Sequence, residues 1–286
     1  MSAAAGGGSA AANVMNDSAG QARREPMVVG DSTSFPLEYF SIPPQYTEYL
    51  SSVLLPHGLI QDRVEKLARD IVQDYPSSTP HLLVVLKGGS EFATDLTRCL
   101  RRIHGHTPLK HIPYTVDYVR VKSYSGTEST GTVTISGIDM KTLVGRDLIV
   151  VEDIIDTGVT MTQLIPELKK HAPTSVRVSA LLEKRTHKSN GFKGDYVGFS
   201  VPDSFVVGYN LDYNEAFRDM PHICIINGAG IEHFRAHPAV SWRARSSSAL
   251  GVAQPLPPLL TLFSFTHAPC LHTTTSSARH QLLGLN

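Results

Sequence analysis

Residues 150–158 read VVEDIIDTG and place three carboxylates, Glu152, Asp153 and Asp156, within five positions after an apolar run. Carboxylates this close repel one another, so the stretch predicts a positive partner, such as a metal ion or a group of N–H donors. The preceding residues RDLIVV are typical of a buried strand, and the following TGVT is typical of a turn into a helix. Strand end, acidic turn and helix start therefore predict one ligand site.

The surrounding chain alternates between helix and strand patterns. Residues 59–75, LIQDRVEKLARDIVQDY, carry apolar side chains on one helical face, and residues 81–89, HLLVVLKGG, suit a strand buried on both sides. Ser90 is expected to cap the next helix. Further strands are expected at YTVDYVRVKSY, RDLIVVED, SVRVSALLEK, SFVVGY and HICIIN, with a helix at TMTQLIPELKKHA. This order predicts a doubly wound, mainly parallel α/β sheet flanked by helices, with ligands beyond the carboxyl ends of the strands.

Composition limits the classes of partner. The 286 residues are 41% hydrophobic, enough for a core, and 26 basic residues balance 26 acidic ones. This balance predicts no nucleic-acid partner and no membrane partner. The cysteines, Cys99, Cys224 and Cys270, are odd in number and widely spaced, which argues against a disulfide framework or a zinc site. No signal peptide or membrane-length apolar run is evident, so we expect a soluble, cytoplasmic protein.

Two composition shifts divide the chain. Residues 1–35 are rich in Ala, Gly, Ser and Asn and predict a disordered low-complexity tail. Residues 237–286, rich in Pro, Ser and Thr and containing Trp242, predict a disordered extension, with an interaction segment around LLTLFSF as the alternative. Residues 36–236 remain as the folded domain.

The turn after Asp156 has the features of an anion site. Its backbone N–H groups, the hydroxyls of Thr157 and Thr160 and the helix dipole favour phosphate, and Gly158 lets the backbone approach a ligand closely. The two acids just before it would bind sugar hydroxyls or a magnesium ion shared with a phosphorylated ligand. The alternative is a solvated acidic loop with ordinary helix capping.

VVEDIIDTGVTM closely resembles the phosphoribosyl-diphosphate signature of type I phosphoribosyltransferases. The segments LPHGLIQDRVEKLARDI, VLKGG, VDYVRVKSY, LLEKRT and FVVGYNLDYNEAFRDMPHICIIN, in that order, resemble the hypoxanthine-guanine branch, and the resemblance covers roughly Phe35 to Ala236. It implies the type I phosphoribosyltransferase fold with a small hood region and a flexible active-site loop. It also implies a purine salvage reaction in which phosphoribose passes from phosphoribosyl diphosphate to N9 of hypoxanthine or guanine, giving IMP or GMP and pyrophosphate, with Mg²⁺ as cofactor.

The resemblance assigns roles to individual residues. Asp156 and Lys184 are the expected catalytic residues: Asp156 assists proton movement at purine N7, and the ammonium of Lys184 donates to a 6-carbonyl, which disfavours adenine. Phe205 is expected to stack on the purine, although the apolar pattern alone favours a core position. The substrate-binding set that the resemblance implies is Lys87, Gly88, Ser123, Tyr124, Glu152, Asp153, Ile154, Ile155, Asp156, Thr157, Gly158, Val159, Thr160, Lys184, Phe205, Val206, Asp212 and Arg218.

The resemblance also implies magnesium ligands, cations that bind pyrophosphate, and a mobile loop that covers the site. Glu152, Asp153 and Asp212 are the expected magnesium ligands. Lys87 and Arg218 are expected to grip pyrophosphate, with a non-proline cis bond between Leu86 and Lys87. Residues 121–137 are expected to form a mobile loop whose Ser123 and Tyr124 exclude water from the reacting sugar. The alternative for this segment is a plain hydrophilic hairpin loop.

Three features depart from the family pattern. Val159 stands where relatives commonly carry a basic residue, Pro166 predicts a kink in the following helix, and the chain continues beyond Ala236, where relatives end. A non-catalytic nucleotide-binding relative stays open as an alternative function, and xanthine stays open as an alternative base. The resemblance implies a homodimer or a homotetramer.

Overall fold

The computed structural model describes residues 23–103, 112–123 and 133–236, which form two sheets and their flanking helices. In chain order the elements are β1 (Met27–Val28), β2 (Leu50–Leu55), α1 (His57–Asp74), β3 (His81–Leu86), α2 (Gly89–Arg102), β4 (Thr115–Ser123), β5 (Val133–Ser136), β6 (Asp147–Ile155), α3 (Val159–Lys169), β7 (Ser175–Lys184), β8 (Tyr196–Val201), β9 (Val206–Val207), β10 (Ile223–Ile226) and α4 (Gly228–Ala236).

The larger sheet has seven strands in the order β1-β8-β7-β6-β3-β4-β5. Every neighbouring pair is parallel except β4 with β5. The predicted doubly wound, mainly parallel fold is therefore confirmed. Its central strands β3, β6 and β7 all end at the same edge, where VVEDII completes β6 and Asp156, Thr157 and Gly158 follow it.

Both faces of the central strands β3, β6 and β7 are buried, which explains the continuous apolar runs in their sequences. Leu82 and Val84 of β3 join one hydrophobic cluster together with the buried faces of α1 and α2. Leu83 and Val85 point the other way and join a second cluster with the apolar side of α3. The period-2 alternation of a strand thus supplies two cores from one segment.

The smaller sheet is antiparallel in the order β2-β10-β9 and corresponds to the predicted hood region. Two predicted strands, SFVVGY and HICIIN, enter this sheet rather than the parallel one, as β9 and β10. Strand β10 lies between β9 and β2 and pairs with β2, for example through Ile223 opposite Leu55; β2 was not predicted. Strands β1, β5 and β8 were not predicted either.

The folded part begins earlier than the predicted boundary at residue 36. Strand β1 pairs in parallel with β8, Val29 is buried, and Arg24 forms an ion pair with Asp74 at the end of α1. The predicted disorder is therefore wrong for residues 23–35. The rest of the predicted tail, the predicted extension 237–286 with Trp242, and Tyr124 lie outside the described residues, as does the middle of the predicted lid.

Two helix details differ from or extend the predictions. Ser90 does not cap α2: Gly88 occupies the N-cap position, and the Ser90 hydroxyl donates to the carbonyl of Lys87 over 2.9 Å. Helix α3 continues through Pro166 to Lys169. None of the helices in the described ranges is long and apolar enough to cross a membrane.

Candidate active site

Strand register brings together side chains that are 28 positions apart in sequence. Ile155 at the end of β6 pairs with Glu183 of the parallel strand β7. The next residues, Asp156 and Lys184, are therefore level with each other at the carboxyl edge of the sheet. Lys184 Nζ lies 3.2 Å from Asp156 Oδ2.

This ion pair lines an open cavity of about 620 Å³. The Lys184 side chain is 11% exposed and the Asp156 side chain is 52% exposed, so the ammonium is largely enclosed while the carboxylate faces solvent. Among the predicted residues, the cavity is lined by Asp153, Ile154, Asp156, Thr157, Lys184, Phe205, Val206 and Asp212. The sequence reasoning missed five further lining residues, Thr186, Lys188, Asp203, Ser204 and Leu211.

Phe205 stands at the cavity as an exposed ring, not as a core residue. It is 45% exposed, and its ring meets Tyr213 edge to face with centroids 5.2 Å apart. Its carbonyl accepts a hydrogen bond from Ile226 over 3.1 Å, which fixes the backbone at the start of β9. The core position favoured by pattern alone is therefore wrong, and a flat face is open to an aromatic ligand.

The turn between β6 and α3 presents an uncapped helix N-terminus. Gly158 occupies the N-cap position with φ of 82°, and no side chain caps the helix there. A Cβ at Gly158 would lie 2.9 Å from Cβ of Phe192, so both the backbone conformation and the space require glycine. The first N–H groups of α3 are thus left for a ligand such as phosphate.

Asn190 supports this turn, and the sequence reasoning missed it. Its N–H donates to the carbonyl of Thr157 over 2.9 Å, and its side-chain amide donates to the Thr162 hydroxyl over 2.7 Å. Its side-chain oxygen accepts from the Phe192 N–H over 3.0 Å. The asparagine therefore ties a separate loop to the anion turn, a contact that sequence spacing does not reveal.

Glu152 and Asp153 form the acidic part of the site. Burial, and then the neighbouring charge of Asp153, raise the pKa of Glu152 well above its ordinary value. Within the described ranges, neither carboxylate forms an ion pair, and no three His, Cys, Asp or Glu side chains cluster closely enough to hold a metal alone. A cation supplied with a ligand would relieve this unbalanced charge.

The Lys87 loop packs directly against this acidic part. The Leu86–Lys87 peptide bond is cis, as the resemblance implied. A Cβ at Gly88 would overlap the Asp153 carboxylate, so the loop approaches the acid as closely as only glycine permits. The amide of Asn210 donates to the carbonyls of Lys87, over 2.7 Å, and Gly88, over 3.1 Å.

The two predicted pyrophosphate cations share one carboxylate that was not predicted. Glu215 accepts from Lys87 Nζ over 2.8 Å and from the Arg218 guanidinium over 3.3 Å. These contacts, the hydrogen bond from Lys87 first, lower the pKa of Glu215. Arg218 also pairs with Asp212 over 2.6 Å, so Asp212 lies beside a guanidinium at the cavity wall.

The remaining predicted residues differ in what they offer. Ile155 packs in the hydrophobic core, so only its backbone is open to a ligand. Val159 and Thr160 are exposed at the start of α3. Ser123 ends β4, opposite Val133 of β5, so both ends of the predicted loop 121–137 form an antiparallel strand pair. Residues 124–132 of that loop fall in a gap of the described ranges, so its mobility and its closure over the sugar stay predictions.

Comparison with known proteins identifies the family. The phosphoribosyl transferase domain family matches residues 51–214. The chain is 47% identical over 218 residues to the hypoxanthine-guanine phosphoribosyltransferase of Bos taurus and 45% identical over 218 residues to that of Homo sapiens; each match covers 75% of this chain and 100% of the relative.

A solved structure agrees with these relatives. The hypoxanthine-guanine phosphoribosyltransferase of Schistosoma mansoni in complex with IMP is 40% identical and superposes with a TM-score of 0.60, covering 73% of this chain and 99% of that one. The resemblance inferred from VVEDIIDTGVTM and its neighbours is thereby confirmed. Fold, strand-end chemistry and relatives agree that this chain belongs to the hypoxanthine-guanine phosphoribosyltransferase family of enzymes.

Proposed function

We propose that this chain transfers a 5-phosphoribosyl group from phosphoribosyl diphosphate to N9 of a 6-oxopurine, hypoxanthine or guanine, in purine salvage. The bond from ribose C1 to the pyrophosphate oxygen breaks, the bond from C1 to N9 forms, and pyrophosphate leaves with the electron pair. The ion pair of Lys184 and Asp156, which lines a cavity of about 620 Å³ beside the exposed ring of Phe205, is the observation that carries this proposal.

The paired charges suit a 6-oxopurine in two ways. The Lys184 ammonium can only donate hydrogen bonds. It therefore favours the carbonyl oxygen at the 6-position of hypoxanthine or guanine and disfavours the amino group of adenine. The exposed Asp156 carboxylate can take the N7 proton as N9 bonds to the sugar. Phe205, with its ring exposed at the same cavity, would stack on the purine.

The uncapped start of α3 would hold the 5-phosphate of the sugar. Its N–H groups, with the side chains of Thr157 and Thr160, supply donors, and Val159 contributes its N–H without adding charge. The cations Lys87 and Arg218 would hold the pyrophosphate group and stabilise the negative charge that develops on it. This contribution of the two cations is electrostatic, because the pyrophosphate gains negative charge while the ribose it leaves becomes cationic.

Magnesium is the proposed cofactor, and the residues present fit it. Mg²⁺ prefers carboxylate oxygens and usually shares its coordination shell with substrate phosphates, which agrees with acids that need further oxygens from a ligand. Glu152 and Asp153 would hold one ion with the ribose hydroxyls, and Asp212 would help to hold a second. When bound, the metal would neutralise the diphosphate as it departs.

A four-base assay tests the proposal directly. The full-length chain with Mg²⁺ and phosphoribosyl diphosphate is incubated separately with hypoxanthine, guanine, xanthine and adenine, and nucleotides are separated by chromatography. We expect IMP and GMP, no AMP, and no product in a matched EDTA reaction. Absence of product from both hypoxanthine and guanine would overturn the proposal, and equal turnover of xanthine would widen the base assignment.

The same assay separates the alternative function. A non-catalytic nucleotide-binding relative would bind IMP in a calorimetric titration yet form no nucleotide from the base. The homodimeric or homotetrameric state and the cytoplasmic location remain predictions from the sequence, and sedimentation of the purified chain would test the first.

A further inference from the structure

One carboxylate connects the two cations that the proposed function assigns to pyrophosphate. Glu215 Oε2 lies 2.8 Å from Lys87 Nζ, and Oε1 lies 3.3 Å from Arg218 Nη2, with Nε of the same arginine 3.4 Å from Oε2. Lys87 follows β3 and Arg218 follows β9, so the contact is between distant segments. The two carboxylate oxygens of Glu215 thus bridge an ammonium and a guanidinium. A phosphate group binds such a pair of cations with the same geometry.

The backbone holds Glu215 in this position. It is the second central residue of a tight turn in which Tyr213 and Ala216 face each other. Asn214 and Glu215 have φ of 51° and 69°, a left-handed conformation that is uncommon for glutamate. The Glu215 N–H donates to Asp212 Oδ2 over 2.8 Å, and the Asn214 amide donates to the Phe234 carbonyl over 2.9 Å.

Arg218 keeps its position by contacts that do not involve Glu215. Its Nη1 donates to the Asn210 carbonyl over 2.6 Å, and its Nη2 pairs with Asp212 over 2.6 Å. The amide of Asn210 also holds the Lys87 loop from the same segment. Loss of the Glu215 charge would therefore leave the cation-bearing segments in place.

The side chain of Lys87 behaves differently. It is 57% exposed, and its one ion pair within the described ranges is the pair with Glu215. An entering anion must therefore either displace this carboxylate or tolerate its repulsion. The carboxylate weakens the attraction of the site for free phosphate groups while it keeps the ammonium close to its working position.

We propose that Glu215 is an internal counter-anion, a positioning residue that occupies the place of a pyrophosphate oxygen pair between Lys87 and Arg218. It leaves when the diphosphate enters and returns as the pyrophosphate product departs. This inference rests on the proposed function, because the competing ligand is the diphosphate of that reaction. Nothing in it requires a change of Glu215 protonation.

The test is Glu215→Gln in the full-length chain, with Glu167→Gln as the control. Glu167 pairs with Lys170 on α3 over 2.5 Å, so the control loses the same charge from another exposed ion pair. Inhibition by pyrophosphate, KM for phosphoribosyl diphosphate and KM for hypoxanthine are measured with Mg²⁺. We expect Glu215→Gln to lower the pyrophosphate inhibition constant about 3- to 10-fold, as exposed ion pairs allow.

The sugar KM should fall with the inhibition constant, the hypoxanthine KM should stay within about twofold, and kcat should fall where product release limits turnover. Glu215→Asp, too short to reach both cations, should shift the same constants less. Unchanged pyrophosphate inhibition in both variants, or a parallel change in the hypoxanthine KM, would overturn the inference.

Failure of the proposed function would look different. In that case the wild-type chain would form no nucleotide at all, and calorimetric titration with magnesium pyrophosphate would still compare the two Glu215 variants with wild type. Equal affinity in that titration would reject the counter-anion on its own.

Discussion

Replacing Asp156 by asparagine separates proton transfer from binding. Asparagine keeps the shape of the side chain but removes the charge that lies 3.2 Å from Lys184 Nζ and the ability to accept a proton. The backbone N–H groups of the anion turn remain, so we expect phosphosugar binding to persist. The loss should therefore appear in kcat.

Its magnitude follows from two contributions. At 3.2 Å, the Coulomb energy is about 1 kcal/mol in water and about 5 kcal/mol at an effective dielectric constant near 20. Because Asp156 is 52% exposed, the lower figure applies to the ion pair. Loss of the general base adds a factor of about 10²–10⁴ in rate, or about 3–5 kcal/mol.

The assay is initial-rate kinetics with saturating phosphoribosyl diphosphate and varied hypoxanthine or guanine. We expect kcat to fall at least about 100-fold, with the sugar KM within about threefold of wild type. Asp117→Asn is the matched control, because this partly exposed carboxylate lies 3.4 Å from His81 on β3 and does not line the cavity. A kcat for Asp156→Asn within tenfold of both wild type and control would refute the acid/base role.

Three further substitutions test other parts of the site. Gly88→Ala forces a Cβ into the Asp153 carboxylate, so the sugar KM should rise at least tenfold in steady-state kinetics; an unchanged KM would contradict this packing. Glu152→Gln removes a carboxylate whose charged form burial disfavours, so thermal scanning at neutral pH should give a higher Tm, while turnover is lost. Each kcal/mol gained in the free energy of unfolding should raise Tm by about 2–4 °C. A lower Tm would refute the view that burial of Glu152 is unfavourable. Asn190→Ala releases the Gly158 turn and should weaken inorganic phosphate binding in a titration, with the base KM unchanged.

Local patterns were sufficient where one segment determines its own structure. The apolar run and glycine turn around VVEDIIDTG predicted β6, the start of α3 and their meeting point. The helical period of residues 59–75 predicted α1 to within two residues at its N-terminus and one at its C-terminus. A helix buried on one face shows a period of about 3.6 residues, and a strand buried on both faces shows a continuous apolar run; both patterns can be read from the sequence alone.

Partners far apart in sequence were beyond the same reasoning. Strand β1 has only two residues, and its place is set by pairing with Phe199 and Ser200 of β8. Strand β8 contains Gly198, which interrupts the pattern of its apolar residues; its Cβ-free backbone packs against the Leu181 carbonyl. Neither the pairing nor the packing leaves a periodic signal, so both needed the folded structure.

The functional residues divide in the same way. Asp156 and Lys184 are recognisable as chemical groups in the sequence, but their contact follows from the register of β6 against β7. Glu215 and Asn190 have no sequence signal of this kind, because an acidic turn residue and a loop asparagine are common on protein surfaces. Their roles follow from a turn conformation and from hydrogen bonds to other segments.

The charges of the site are balanced unequally, and this asymmetry constrains the form in which the substrate enters. Lys184 has Asp156, and the pair Lys87 and Arg218 has Glu215. Within the described residues, Glu152 and Asp153 near the end of β6 have no cationic side chain as partner, although Glu152 is buried. A bare diphosphate would add negative charge beside uncompensated carboxylates, whereas a diphosphate already complexed with a divalent cation brings the charge that those carboxylates need and the oxygens that displace Glu215. On the proposed function, we therefore expect the diphosphate to bind as its metal complex and the free anion to bind more weakly.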